Sequence, residues 1–300
     1  VLGDHLDDII AEQPDGTQVV TRIYDDRSRS VLTRVDSPDL GMRWNLNPYR
    51  GCEHGCIYCY ARPTHEYLGF SSGLDFETRI MVKRDAPLLL RAALSAPGWD
   101  REEISLSGVT DPYQPVESKL HITRQCLEVL REFRQSVSII TKSRLVLRDL
   151  DVLRDLQRNG LASAAISITT LDAALAGKME PRAASPNARL EVIRRLAEAG
   201  IPVCVMMAPI IPGLTDHEIP SLLRAAREAG ATSAGFVLLR LPYQIKALFL
   251  EWLARHFPDR AAHVESLIRQ TRGGDLYRSR FFERQRGVGP HAQSIGQTFR

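Results

Sequence analysis

Three cysteines fall within eight residues: Cys52, Cys56 and Cys59 stand in the run Asn47-Pro-Tyr-Arg-Gly-Cys-Glu-His-Gly-Cys-Ile-Tyr-Cys-Tyr60. Thiolates hold iron–sulfur clusters, and Gly51 and Gly55 let a short loop curl so that three sulfurs reach one cluster. Three thiolates on a four-iron cubane leave one iron open to an outside ligand. Cysteine and His54 are also zinc ligands, but His54 sits inside the first gap, where it cannot easily join the same tetrahedron, and structural zinc sites come as paired ligand doublets. A non-catalytic iron–sulfur or zinc binding module is therefore the alternative to an enzyme. Five cysteines is an odd number in a chain too long to need disulfide staples, so the clustering points to metal and not to bridges. Cys126 and Cys204 lie on the apolar faces of a helix and a strand and read as core residues.

The elements that must carry this loop are β-rich runs separated by amphipathic stretches, the pattern of βα units feeding a parallel sheet. Candidate strands are Trp44–Pro48, Ile104–Ser107, Val137–Thr141, Ala164–Ile168, Val203–Ala208 and Gly235–Leu239, recurring at about the spacing of βαβ units. Ser185 before Pro186 predicts a capped helix closed by Gly200, and Thr215 with Glu218 three residues on predicts a capping box for the next. His121–Phe133 and Leu147–Leu156 also show the helical period. In such folds functional groups gather at the carboxyl ends of the strands. That rim would present Gly108-Val-Thr110-Asp111-Pro-Tyr113, Lys142-Ser143, Thr169-Thr170 and Ile211-Pro-Gly. Asp111, Tyr113, Gln114 and Glu117 form a polar cluster there, stiffened by Pro112 and Pro115. They read either as groups facing substrate or as an Asp-Pro turn with a helix-initiating carboxylate.

Beyond chemistry alone, Gly-Cys-x3-Cys-x-Tyr-Cys-Tyr-Ala-Arg is similar to the signature of the radical S-adenosylmethionine (SAM) superfamily. Thr110-Asp111-Pro-Tyr-Gln-Pro-x-Glu117, Thr141-Lys142-Ser143 and Glu180-Pro181-Arg182 resemble its spore photoproduct lyase-like branch, over about Asn45 to Leu241. The resemblance implies an α/β fold, a partial (β/α)6 TIM-like barrel, over residues 41–256, with extensions at 1–40 and 257–300. It implies a [4Fe–4S] cluster on the three cysteines and SAM chelated by the open iron. A one-electron reductant of the flavodoxin or ferredoxin type would supply the electron that cleaves SAM to a 5′-deoxyadenosyl radical, which abstracts hydrogen from substrate. Tyr58 would lie against the adenine, Ser107, Gly108 and Thr110 near the SAM amino group, Lys142 on its carboxylate, Ser167 on its ribose, and Arg182 would add positive charge. Asp111, Tyr113 and Glu117 would be the catalytic candidates. Where the family usually has Gly-Gly-Glu this chain reads Ser107-Gly108-Val109. It also lacks the cysteine that spore photoproduct lyases carry after the second strand, so thymine-dimer repair is not expected. From the residues alone, Lys142 at a strand end could equally be solvated, Ser167 satisfied by backbone, and Arg182 a clamp on the loop before Ser185.

The bulk numbers exclude little else. The chain has 300 residues, and 39 basic against 36 acidic side chains give a net charge of +3, which is no global nucleic-acid footprint. The local exception runs from Arg269 to the end, where Arg269, Arg272, Arg278, Arg280, Arg284, Arg286 and Arg300 face only Asp275 and Glu283. Mixed with Tyr277, Phe281 and Phe282, they suit a nucleic-acid substrate, because arginine pairs with phosphate and aromatics stack on bases. They equally suit an amphipathic segment that closes the barrel. The apolar stretch Ile201–Leu214 is broken by prolines and shorter than the ~20 residues of a membrane span. The acidic N-terminus is unlike a secretory signal, so a cytoplasmic location is expected. Residues 1–40 show no clear periodicity and read as an extension that wraps the barrel or is partly loose; residues 273–300 read as irregular.

Overall fold

From Ile104 onward the chain writes two faces into every strand. In the computed structural model, which describes residues 2–12 and 18–299, Val137, Ile139 and Thr141 point one way and are buried, while Ser138 and Ile140 point the other and are less so. The same alternation puts Ala162, Ala164 and Ile166 outward on the next strand and Val203, Val205 and Met207 outward on the one after. This outer layer packs on the helices Ile122–Glu132, Leu150–Gln157, Pro186–Glu198 and Ile219–Glu228. Each fully buried Val, Leu or Ile contributes roughly 1.5–3 kcal/mol.

In chain order the strands are β1 (Leu2–Glu12), β2 (Gln18–Asp26), β3 (Leu32–Arg34), β4 (Trp44–Leu46), β5 (Tyr49–Arg50), β6 (Arg79–Val82), β7 (Ile104–Leu106), β8 (Val137–Thr141), β9 (Ala162–Ser167), β10 (Val203–Ile210) and β11 (Ser233–Leu238). The large sheet runs β11-β10-β9-β8-β7-β4-β3, and all pairs from β4 to β11 are parallel. Its six parallel strands are the six expected runs, and β3 adds an antiparallel edge. The concave inner face carries small side chains, Ser105, Ser138, Ser163, Ala165, Cys204 and Ser233, around a cavity of about 340 Å³.

Three expectations are corrected here. Residues 1–40 hold the antiparallel hairpin β1–β2, whose second strand pairs in parallel with β6, making a four-stranded sheet β1-β2-β6-β5. Only Thr21, Ile23 and Asp26 of β2 are buried, so charged exposed residues hide the strand period. The irregular reading of residues 273–300 misses the helix Gly289–Thr298. The capping box at Thr215 does not form, because the Thr215 hydroxyl accepts from the Ile211 N–H and Glu218 turns to the Thr170 hydroxyl and the Leu171 N–H.

The sheet does not close on itself, and the C-terminal segment covers its β11 edge. Arg272 is buried and donates to four carbonyls, those of Leu238 and Leu239 at 3.0 and 2.6 Å and those of Glu283 and Arg284 at 3.0 Å each. Arg286 lies over Phe236, which also meets Phe299 at 4.6 Å. Arg284 binds Asp39, just before β4, at 2.7 Å and so ties the tail to the opposite side of the gap. Among the described residues, no helix is long and apolar enough to cross a membrane. Replacing Arg272 with Met leaves those carbonyls buried without donors, so Arg272→Met is expected to lower unfolding stability by about 3 kcal/mol, read as a lower urea midpoint with little change in slope.

Candidate functional site

The cysteine loop leaves β5 at the carboxyl end of β4 and makes few backbone hydrogen bonds of its own, from the Gly55 N–H to the Cys52 carbonyl at 3.4 Å and from the Cys59 N–H to the Cys56 carbonyl at 3.2 Å. Its peptides are held from outside. The Cys52 N–H donates to the Phe76 carbonyl at 2.9 Å, Ile57 to that of Met179 at 3.0 Å, and Glu53 to the Gln114 side chain at 2.8 Å. The Gly51 carbonyl takes the Thr110 hydroxyl at 2.6 Å. Arg62 donates to the carbonyls of Cys56 at 2.9 Å and Gly55 at 3.0 Å, and Arg182 to that of Glu53. Glu77 lies between the two guanidiniums and pairs with both. Gly55 has φ +68°, and a Cβ there would stand 2.2 Å from the Glu77 carboxylate and 2.7 Å from Arg182, so this turn admits no side chain.

The three thiols are free, with Cys52 and Cys56 buried and Cys59 half-buried. Burial, Asp111 and the neighbouring cysteines push Cys52 far above the ordinary thiol range. Burial, with Glu180 next, pushes Cys56 up to about 12. Such thiols surrender their protons only to a cation that binds sulfur. Among the described residues no three His, Cys, Asp or Glu side chains converge on one ion position. Three thiols on one short loop match three corners of an iron–sulfur cubane.

Above the loop Tyr58 is buried, its hydroxyl donating to Glu180 and lying 3.2 Å from the Thr169 hydroxyl. Glu180 also takes the Thr169 hydroxyl at 2.8 Å and pairs with Arg189, which donates to the Ser167 and Ala184 carbonyls at 2.9 and 2.7 Å. Burial opposes ionisation of Glu180, but Arg189 and Lys142 outweigh it and hold the carboxyl at about 2. Lys142 reaches within 5.9 Å of the Tyr58 ring and forms no ion pair among the described residues. Asn45 Oδ1, on β4, is buried without a partner. It lies against Gly108, whose φ is +122° and where a Cβ would meet the Asn45 amide at 1.9 Å. Ser107 precedes it at φ +151° with its hydroxyl on the Thr110 carbonyl at 3.1 Å. An uncommitted ammonium, an orphaned amide oxygen and strained backbone thus surround the thiols, a donor set that fits a cluster with an amino-acid-like ligand on its open iron.

The polar cluster after β7 is placed differently from its substrate-facing expectation. Asp111 accepts from the Thr141 hydroxyl at 2.7 Å, the Lys142 N–H at 2.8 Å and the Tyr113 N–H at 2.9 Å, with His54 at 3.4 Å. Burial works against its charge, yet His54 and these donors bring it to about 2. Tyr113 and Glu117 are fully buried beneath the rim: the Tyr113 hydroxyl donates to Asp149 at 3.1 Å, and Glu117 accepts from Tyr49, from Arg148 at 2.6 Å and from the Thr123 N–H at 2.9 Å. The carboxylate starts the helix at Ile122, and the proline-stiffened turn faces the helical layer. Thr110 and Arg182 likewise brace the loop. Arg62 and Glu180 stand in motifs of the resemblance but carry no assigned role there, and the sequence reading singles out neither Glu77 nor Arg189.

A parallel partial barrel with a braced three-cysteine loop at the carboxyl ends of its strands defines the class of fold that presents an iron–sulfur cluster to an outside ligand. The Radical SAM superfamily profile matches residues 46–226, and the chain belongs to that superfamily. It is 36% identical over 245 residues to an uncharacterized protein of Mycobacterium tuberculosis strain H37Rv, covering 81% of this chain and 72% of that one. It is 25% identical over 231 residues to the Radical SAM Nalpha-GlyT isomerase of Pseudomonas phage M6, covering 76% of this chain and 46% of that protein. Among solved structures, a point mutant of spore photoproduct lyase superposes with a TM-score of 0.60 at 17% identity, covering 92% of this chain and 76% of the lyase. A double mutant of spore photoproduct lyase, with bound AdoMet and dinucleoside spore photoproduct, superposes with a TM-score of 0.54 at 18% identity, over 79% of this chain and 66% of that one. The fold is thus spore photoproduct lyase-like, and the superfamily implies an iron–sulfur cluster and SAM.

Removing Glu180 strands the Arg189 guanidinium in the interior. Glu180→Ala is expected to cost about 3–5 kcal/mol of stability, measured by chemical denaturation of the purified protein.

Proposed function

We propose that Cys52, Cys56 and Cys59 hold a [4Fe–4S] cluster whose open iron binds SAM, and that the chain is a radical SAM enzyme acting on a substrate with nucleic-acid character. The single observation that carries the catalytic reading is a set of three free thiols on a loop whose peptides are fixed by the barrel itself. Rigid support of that kind suits a reaction centre that must meet substrate in one geometry. When bound, the cluster supplies the electron, received from an external flavodoxin- or ferredoxin-type reductant, that cleaves SAM to a 5′-deoxyadenosyl radical able to take hydrogen from substrate.

The chain's own residues bind and orient. Lys142 offers its ammonium to the SAM carboxylate, its backbone locked by Asp111. The backbone of Ser107 and Gly108, with Asn45 Oδ1, receives the amino group. Tyr58, held by Glu180, backs the adenine, and Ser167, whose carbonyl Arg189 fixes, lies toward the ribose. The nucleic-acid reading draws on exposed Tyr60, Phe281 and Phe282 beside the tail arginines. It draws also on the phage relative's isomerase and on the lyase that binds a dinucleoside. Arg272 and Arg284 serve the fold, Arg286 is exposed while lying over Phe236, Arg280 is exposed and Arg278 half-buried; Arg300 lies outside the described residues.

Anaerobic reconstitution with iron and sulfide should give a cluster chromophore and, with reductant, 5′-deoxyadenosine from SAM. Alanine at any of the three cysteines should abolish both, and Lys142→Ala should weaken SAM binding about tenfold with the chromophore intact, the loss of one charge-assisted hydrogen bond. An intact cluster without SAM cleavage would instead favour the non-catalytic module.

A further inference from the structure

Arg240 follows β11, at the carboxyl end of the last barrel strand. It is half-buried, its guanidinium lies 4.9 Å from the centroid of the Tyr60 ring, and its Nε is buried without a partner. The other deep arginines have their terminal nitrogens committed. Arg62 has four carbonyls and Glu77, Arg189 has two carbonyls and Glu180, and Arg272, whose Nε is likewise unpartnered, gives both terminal nitrogens to four carbonyls. Arg240 has an aromatic face and no anion among the described residues. Its neighbours sharpen the imbalance. Burial, with Arg240 as the next cause, lowers the buried Arg272 to about 10, and Arg284 gives its charge to Asp39. A guanidinium whose N–H is buried and unpaired beside a second cation calls for an anion.

The place is as telling as the charge. Tyr60 follows the third cysteine directly, and its hydroxyl is fixed to the Gly108 carbonyl. Whatever Arg240 holds therefore lies at the flank of the cysteine loop, at the open side of the barrel. Phe281, under Arg284 at 4.8 Å, and Phe282 bring exposed aromatic surface to the same side through the Asp39 clamp. A planar fork of donors beside aromatic rings fits a phosphate whose neighbouring bases can stack.

We infer that Arg240, oriented by stacking on Tyr60, binds a backbone phosphate of the substrate strand and so registers the reacting nucleotide against the cluster loop. The inference rests on the nucleic-acid reading above and adds the contact that would carry it. The test uses the cluster-loaded protein and a short fluorescein-labelled single-stranded oligonucleotide, with anisotropy followed over a series of salt concentrations. Arg240→Gln should weaken binding about tenfold and lower the slope of log affinity against log salt by about one, the signature of one lost phosphate contact. Arg240→Lys should keep the slope and lose part of the affinity, because the charge stays and the fork goes. Equal slopes for wild type and Arg240→Gln, with unchanged thermal unfolding midpoints, would overturn the assignment. If wild type binds no oligonucleotide at any salt, the nucleic-acid reading fails. Titration with inorganic phosphate then decides the site: stabilisation of wild type and Arg240→Lys but not Arg240→Gln upholds an anion subsite, and its absence removes it.

Discussion

Everything at this site depends on holding a loop that cannot hold itself. A segment that must aim three sulfurs at one place has little freedom to pair its own N–H and C=O groups, and buried backbone left unpaired is costly. Arg62, Arg182, Gln114 and Thr110 supply the missing partners, and Glu77, shared between the two inward guanidiniums, offsets one of their two charges. The result is a reaction centre whose scaffold is mostly hydrogen bonds from side chains distant in sequence.

The second layer follows the same logic. Glu180 ties Tyr58, Thr169 and Arg189 together, and Arg189 in turn fixes the end of β9 through the Ser167 carbonyl. A buried ion pair of this kind adds little net stability, because both partners lose water. Its effect is positional: one carboxylate sets the aromatic ring over the cluster loop and the strand end that faces it. Asp111 does the same for the backbone of Lys142, whose ammonium forms no ion pair among the described residues.

The sequence disclosed what is local. The six parallel strands of the large sheet betray themselves as β-rich runs, the helix at Pro186 by its Ser185 cap, which accepts from the Ala188 N–H, and the metal loop by spacing, while the short β5 and β6 go unread. Hidden were features that need a distant partner. Arg182 reaches Glu53, which lies 129 residues away, and no local pattern announces it. Glu117 and Tyr113 carry the residue types of catalysis, yet their partners Arg148 and Asp149 come from the following βα unit and draw them under the rim. The β1–β2 hairpin stayed obscure because most of its side chains are polar or exposed, and Arg240 because its meaning lies in partners it lacks.

The inner wall of the barrel is rich in serine, alanine and cysteine, with Ile140 among them, while the outer wall is dominated by the valine, leucine and isoleucine that pack the helices. Because alternate residues of each strand serve opposite faces, the two jobs are uncoupled. A bulkier side chain can grow into the hollow without disturbing the hydrophobic layer behind it. Such a lining lets one scaffold be refitted to molecules of different size by exchanging a few inward positions, leaving the metal loop and its braces as they are.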